Sequence, residues 1–434
     1  MLSSEERKEI KNLIQSEITP AIGCTEPIAV ALCVAKAKEI IGSIPEKIDV
    51  LLSKNIIKNA MGVGIPGTGM VGLPIAIALG ALIGKSENKL QLLKDVQPRD
   101  VEKGKKYISE NRINIYLKEN CPNNLYIETH CYVDSEKSVV IIEGAHDNFT
   151  YIEKNNKILL NQSYESNDKN DNVVQLTFNK IYEYAIETPI EELEFILEAA
   201  DMNKLASIQS FIGNYGHQIS KILTSEKAKS ILGDNILNRI IAATAGACDL
   251  RMDGAMVPVM STAGSGNQGI AATIPVLIFA EETNCDKKKL IRALILSNLT
   301  VIYIKQKIGK LSPLCGCVVA STGSSCAITY LMNGNKLQIS HAAKNMIASI
   351  TGLICDGAKP SCSLKIATSI YTALLSSLMA IDNKVVLSNE GIIDDDIDKT
   401  INNLAAIGNI GMKNTDNIIL DIMTKKISKS PMKY

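Results

Sequence analysis

Tryptophan is absent from this chain of 434 residues, and aromatics make up only 4% of it. No apolar stretch therefore carries the aromatic belts that flank a membrane helix. An excess of either charge is missing as well: 46 Lys and Arg face 46 Asp and Glu, with no long basic block. Nothing in that balance favours nucleic acid or an anionic membrane as partner. The four histidines stand singly, at His130, His146, His217 and His341, and form no metal-ligand pattern. No secretory leader is expected, because residues 1–11 are charged and open a polar helix. Disulfide-scaffold spacing is lacking, and the cysteine count, eleven, is odd. These features read as a cytoplasmic protein with reduced thiols, where grouped cysteines serve metals or catalysis more often than disulfides.

What is present is a chain too long for one ordinary core, so two or three domains are expected. Uncharged stretches at 59–84, 254–280 and 311–335 are long enough to span a bilayer, which takes about 20 apolar residues. Each holds several Gly with Pro, Ser, Thr or Asn, so packed core helices with Gly-rich turns explain them better. Residues 3–16 have helical spacing, and Pro20 ends that helix. Gly23, Cys24, Thr25, Glu26 and Pro27 then form a loop opening a second helix, 28–41. Cys24 is thus expected at a helix N-terminus, whose partial positive charge lowers a thiol pKa. A strand is expected at 48–53, and five more between 113 and 160 form an antiparallel meander. A polar linker follows at 161–172, and helices run from there to the end, the first near 187–201. The expected fold class is α+β. Residues 1–170 form an α/β part with the meander, and 171–434 a larger, mostly helical domain.

Four Gly-rich segments stand out, at 62–72, 261–269, 311–325 and 352–363. The segment 261–269, Ser-Thr-Ala-Gly-Ser-Gly-Asn-Gln-Gly, precedes a helix. Its backbone N–H groups and small hydroxyls suit an anion, and a tight helix–helix turn explains them equally well. No Gly-Lys-Ser/Thr follows, so it is not a Walker loop, and 62–72 lacks the spacing of a dinucleotide fold. Asp249 and Asp253 around Arg251 read as a local charge network, and His130 and His146 as structural. Five cysteines lie between positions 315 and 362, without the C-x2-C pairs of a zinc site. Cys355 and Cys362 flank one loop, and a partner from Cys315 or Cys317 completes three ligands. Three thiolates holding an iron–sulfur cluster leave one iron open as a Lewis acid. Cys33, Cys121, Cys131, Cys248, Cys285 and Cys326 read instead as small buried hydrophobes.

Three segments carry a family resemblance: Thr-Pro-Ala-Ile-Gly-Cys-Thr-Glu-Pro from Thr19, Leu-Ser-Pro-Leu-Cys-Gly-Cys from Leu311, and Ile-Cys-Asp-Gly-Ala-Lys from Ile354. They resemble the signatures of the L-cysteine desulfidase family, which is related to the iron–sulfur L-serine dehydratases. The likeness runs through nearly the whole chain, in the expected order. It implies β-elimination from an amino acid without pyridoxal phosphate, giving sulfide, ammonia and pyruvate from L-cysteine. It further implies a 4Fe–4S cluster on Cys315, Cys355 and Cys362, with Cys24 taking the substrate α-proton. Cys317 competes with Cys315 as first ligand. The Gly-rich substrate loop falls at 254–269, so Ser261, Gly264, Ser265 and Asn267 are the expected substrate contacts, and Lys359 a partner for cluster charge. A small-molecule amino acid is the expected partner, and assembly into a homo-oligomer is compatible with the sequence. L-Serine dehydration, and a non-catalytic iron–sulfur or redox-sensing role, are the alternatives. Absence of a Ser-Ser-Ser-His-Thr segment favours cysteine as substrate.

Overall fold

A computed structural model describes residues 2–121, 123–162, 174–309 and 312–427. The boundary expected between 170 and 171, most of the linker expected at 161–172, and Leu311 of the second signature lie outside these residues.

The first part carries helices α1 (Ser4–Glu17), α2 (Thr25–Ile41), α3 (Lys54–Ala60), α4 (Leu73–Leu82) and α5 (Pro98–Ser109). Its strands are β1 (Pro20–Ala21), β2 (Lys47–Leu52), β3 (Gly64–Ile65), β4 (Met70–Val71), β5 (Ile113–Leu117), β6 (Tyr126–Val133), β7 (Glu136–Glu143), β8 (Phe149–Lys154) and β9 (Lys157–Asn161). A capping box of Ser3 and Glu6 starts α1, and Gly42, left-handed at φ 95°, ends α2. The main sheet runs β5-β2-β6-β7-β8-β9. Strands β6 to β9 form the expected meander. β5 does not join it directly: β2 lies between, parallel to β5 and antiparallel to β6. A parallel pair needs a long crossover, which here includes α3, α4 and α5. Sequence periodicity missed α5 because Gly104 interrupts it, although Gln97 and Asp100 cap its start. Helix α2 is apolar almost all round and is buried between the sheet and α4.

The second part is built from α6 (Phe178–Glu187), α7 (Ile196–Ile212), α8 (Ile219–Thr224), α9 (Glu226–Leu232), α10 (Ile236–Met252), α11 (Gly266–Glu282), α12 (Lys287–Ile308), α13 (Gly316–Leu331), α14 (Lys336–Ile350), α15 (Cys362–Ile381), α16 (Ile397–Ala406) and α17 (Thr415–Ile427). The helix expected at 187–201 is broken: Thr188 is extended at ψ 139° ahead of Pro189, as the residue before a proline tends to be. The uncharged stretch 59–84 becomes the β3–β4 hairpin and α4, while 254–280 and 311–335 hold α11 and α13. Among the described residues one helix, α15, is long and apolar enough to cross a membrane, and 50% of its apolar window is buried. It packs on α10, α13 and α14.

Two connections tie the parts together around one place. Strand β1 pairs with β10 (Val259–Met260), so the loop before α2 lies against the Gly-rich segment before α11. Helix α17 returns to α3, where Lys58 Nζ lies 2.5 Å from Asp416 Oδ1.

Candidate active site

Close backbone contact assembles the site. Ser261 N donates to Thr19 O at 2.8 Å, and Ala263 N to Glu17 O at 2.9 Å. A Cβ on Gly64 would stand 2.2 Å from Asp253 C, so only glycine lets the β3–β4 hairpin meet that loop. The Gly-rich segments at 62–72 and 261–269 therefore border the Cys24 loop. The cysteine loops join through Gly357, whose Cβ would lie 2.0 Å from Lys58 O.

Cys24 is the N-cap of α2 and is buried, 5% exposed. Its Sγ donates to Glu26 Oε2 at 2.9 Å, and Glu26 Oε1 accepts from Asn59 Nδ2 at 3.0 Å. The expected lowering of the thiol pKa is not what this environment produces. Burial pushes the Cys24 thiol well up and the Glu26 carboxylate adds to that, while Arg251 pulls the other way. An adjacent carboxylate and desolvation outweigh the helix end. Glu26 is itself held below the usual carboxylate range: burial opposes ionisation, but His146, the Cys24 hydrogen bond and Arg251 overcome it. His146 Nε2 is buried and has no hydrogen-bond partner among the described residues.

Arg251 does not pair with its sequence neighbours. Asp249 accepts from the backbone of His217 (3.2 Å) and Ile219 (2.9 Å), and Asp253 is exposed. The Arg251 guanidinium turns to the site, donating to Gly23 O at 2.8 Å and to Asn267 Oδ1 at 3.1 Å. The four expected substrate contacts differ in role. Ser261 is buried and its Oγ donates to Thr19 O at 2.7 Å. Ser265 caps α11, Gly264 is exposed at φ 76°, and Asn267 is half-buried beside Arg251.

The loops that carry the thiols interlock. Leu314 bridges Ile354, Cys315 N donates to Leu353 O at 2.9 Å, and Cys355 N to Pro313 O at 2.6 Å. Cys315 caps α13 and Cys362 begins α15. Its neighbour Cys317 brings Cys315 down to about 7 against the cost of burial, with help from Lys365. Cys315 and burial in turn raise Cys317 well above its ordinary value. Burial raises Cys355, opposed by Lys58, and takes Cys362 to about 11. Asp356 pairs with Lys359 at 2.7 Å and also with Lys365. Lys359 is engaged within its own loop and also draws Cys362 down, while Lys365 acts on Cys315 and Cys355 and Lys58 on Cys355.

All eleven cysteines are free. Among the described residues no three Cys, His, Asp or Glu side chains converge closely enough for a single metal ion. A cluster distributes its thiolate ligands over separate irons and requires no such convergence. The donor set fits that group: thiols from two interlocked loops feel one another's charge, flanked by lysines. Cys248, fully buried on α10, stands behind them.

A family model described as serine dehydratase alpha chain matches residues 87–421. The chain belongs to that family. The serine dehydratase alpha chain match takes in α5, the sheet strands from β5 and the cysteine loops, but begins beyond Cys24. Full-length relatives cover the remainder. A UPF0597 protein of Bacteroides fragilis is 56% identical over 426 residues, covering 98% of this chain and 100% of its own length. One of Porphyromonas gingivalis is 49% identical over 432 residues, with 98% and 100% covered. One of Shewanella halifaxensis is 43% identical over 426 residues, with 95% and 97% covered.

Arg251, Asn59, Lys58 and Lys365 at this site were not singled out by sequence reasoning. Two aspartates masked Arg251 by suggesting local pairing. Asn59 and Lys58 sit on a short polar helix with no motif, although the Gly-rich loop after it was a usable signal. His146 follows Gly144 in a turn, and its turn position concealed its approach to Glu26.

Proposed function

We propose that this serine dehydratase-like lyase eliminates the β-substituent of L-cysteine, turning L-cysteine and water into sulfide, ammonia and pyruvate. The observation that carries this reading is the Cys24–Glu26 contact at 2.9 Å, in a site bordered by the Gly-rich loops and tied by α3 to the thiols. Cys315, Cys355 and Cys362 would hold a 4Fe–4S cluster, with Cys317 beside the first of them. Bound there, the cluster supplies a Lewis acid to the leaving group without pyridoxal phosphate.

In the resting site the proton stays on Cys24 Sγ and the charge on Glu26. A substrate ammonium drawn to Glu26 cancels the charge that holds the thiol up, and the thiol proton then leaves to solvent. The thiolate accepts the proton from the substrate α-carbon. The electron pair of that C–H bond forms the Cα=Cβ bond, and the Cβ–S bond breaks as sulfide departs. Water then replaces the nitrogen, releasing ammonia and pyruvate. This reading takes the enzyme as cytoplasmic, where grouped thiols stay reduced, and a small amino acid as its partner.

A second reading is L-serine dehydration, which the serine dehydratase description of the family favours. Anaerobic assay with each amino acid separates the two. Sulfide and pyruvate in equal amounts from L-cysteine, at a higher kcat/KM than pyruvate from L-serine, supports the first reading; the reverse order assigns the second. A folded, cluster-loaded protein inactive on both overturns the lyase proposal.

A further inference from the structure

Arg251 is 4% exposed, and its guanidinium has five N–H donors. Two hydrogen bonds engage it, to Gly23 O and Asn267 Oδ1. Nε has no partner, and no acidic side chain of the described residues forms an ion pair with it. A buried guanidinium without a contacting anion is costly and calls for one; the Glu26 carboxylate acts on it only from beyond ion-pair distance. Its place is fixed from below, because a Cβ on Gly266 would stand 2.3 Å from Nε. On one side lies the backbone just before Cys24, on the other the start of α11.

We propose that Arg251 anchors the substrate α-carboxylate through terminal N–H donors that no protein group takes. This rests on the lyase reading and extends it. The carboxylate then lies beside the Cys24 loop, and the α-carbon that carries it comes within the reach of Cys24, with Glu26 left for the ammonium. Asn267 acts by holding the guanidinium rather than as the main carboxylate contact. An amino acid and a free inorganic anion share the chemistry this site requires, so the test includes both.

Calorimetric titration of the cluster-loaded protein with L-alanine, which has no leaving group, reads binding without turnover. L-Alaninamide, lacking the carboxylate, and sodium sulfate are titrated in parallel. L-Alanine is expected to bind and the amide to bind at least tenfold more weakly. In Arg251→Gln, L-alanine affinity falls roughly 30-fold or more, KM for L-cysteine rises by a similar factor, and the preference over L-cysteine methyl ester disappears. Arg251→Lys recovers part of each. Equal binding of alanine and its amide by the unsubstituted protein overturns the proposal even if the Gln variant fails to fold. So does unchanged alanine affinity in Arg251→Gln, which makes the arginine structural. Sulfate binding that excludes alanine without turnover inhibition assigns the site to inorganic anions and also overturns it. Absence of turnover with intact, Arg251-dependent alanine binding removes the lyase reading and leaves the carboxylate anchor standing.

Discussion

Replacing Glu26 with Gln should make Cys24 more reactive, although the substitution removes the nearest carboxylate and adds no positive charge. In the native site burial raises the thiol and the Glu26 charge, with its hydrogen bond at 2.9 Å, raises it further. Gln keeps the shape and a hydrogen-bond partner for Asn59 but removes the charge. A like charge at this range changes a thiolate population by about one to three decades. Nucleophilicity falls with pKa at a Brønsted slope of about 0.4–0.5, which removes about half of that gain in logarithmic terms. A net increase of roughly 3- to 30-fold in alkylation rate at fixed pH remains. The assay is pulsed alkylation with iodoacetamide, followed by peptide mass spectrometry that reads Cys24 separately from the other thiols. The pH profile should also shift to lower pH in the variant. An unchanged or slower Cys24 rate, with circular dichroism showing the fold intact, would refute the claim that Glu26 holds the proton on Cys24. Turnover should nevertheless fall, because Gln cannot attract the substrate ammonium.

Three further outcomes follow from the same structure. Cys315→Ala should lose most iron after anaerobic reconstitution while Cys317→Ala keeps it, as iron and sulfide analysis reads directly. The opposite pattern moves the first ligand to Cys317. Gly357→Ala should cost about 3 kcal/mol, seen as a Tm several degrees lower by circular dichroism, because its Cβ meets Lys58 O at 2.0 Å and φ is 94°. An unaltered Tm would contradict that close approach. Glu128 is taken down to about 2: burial opposes this, but hydrogen bonds from His130, Lys118 and Tyr126 prevail. Its folded value lies below its unfolded one, so its stabilisation is complete above about pH 5 and is lost as pH falls toward 2. Glu128→Gln should flatten the acid limb of the unfolding curve, and an unchanged limb would remove Glu128 as its cause.

Much of this organisation was legible because simple patterns encode it. Alternation at Tyr126–Val133 gave the meander, and long apolar runs between Gly and polar breaks gave α11, α12 and α15. Cys24 was legible as a helix start from Pro27 and the preceding Gly. Its acidity was not, since burial and the rotamer that points Sγ at Glu26 appear only in three dimensions. The insertion of β2 beside β5 is likewise a long-range pairing without a local signature. Arg251 shows the same limit in electrostatic form: adjacent aspartates in sequence suggested pairing, while α10 directs the guanidinium toward Gly23, 228 positions earlier.

The central claim is that a cluster-dependent elimination uses Cys24 as its base. The direct measurement is anaerobic pyruvate and sulfide release from L-cysteine by the native protein and Cys24→Ala at equal cluster content, judged by visible absorption and iron analysis. The account predicts matched products from the native protein and a loss of about 100-fold or more in kcat for the variant, with its spectrum unchanged. Retained turnover in Cys24→Ala with the cluster intact would contradict it.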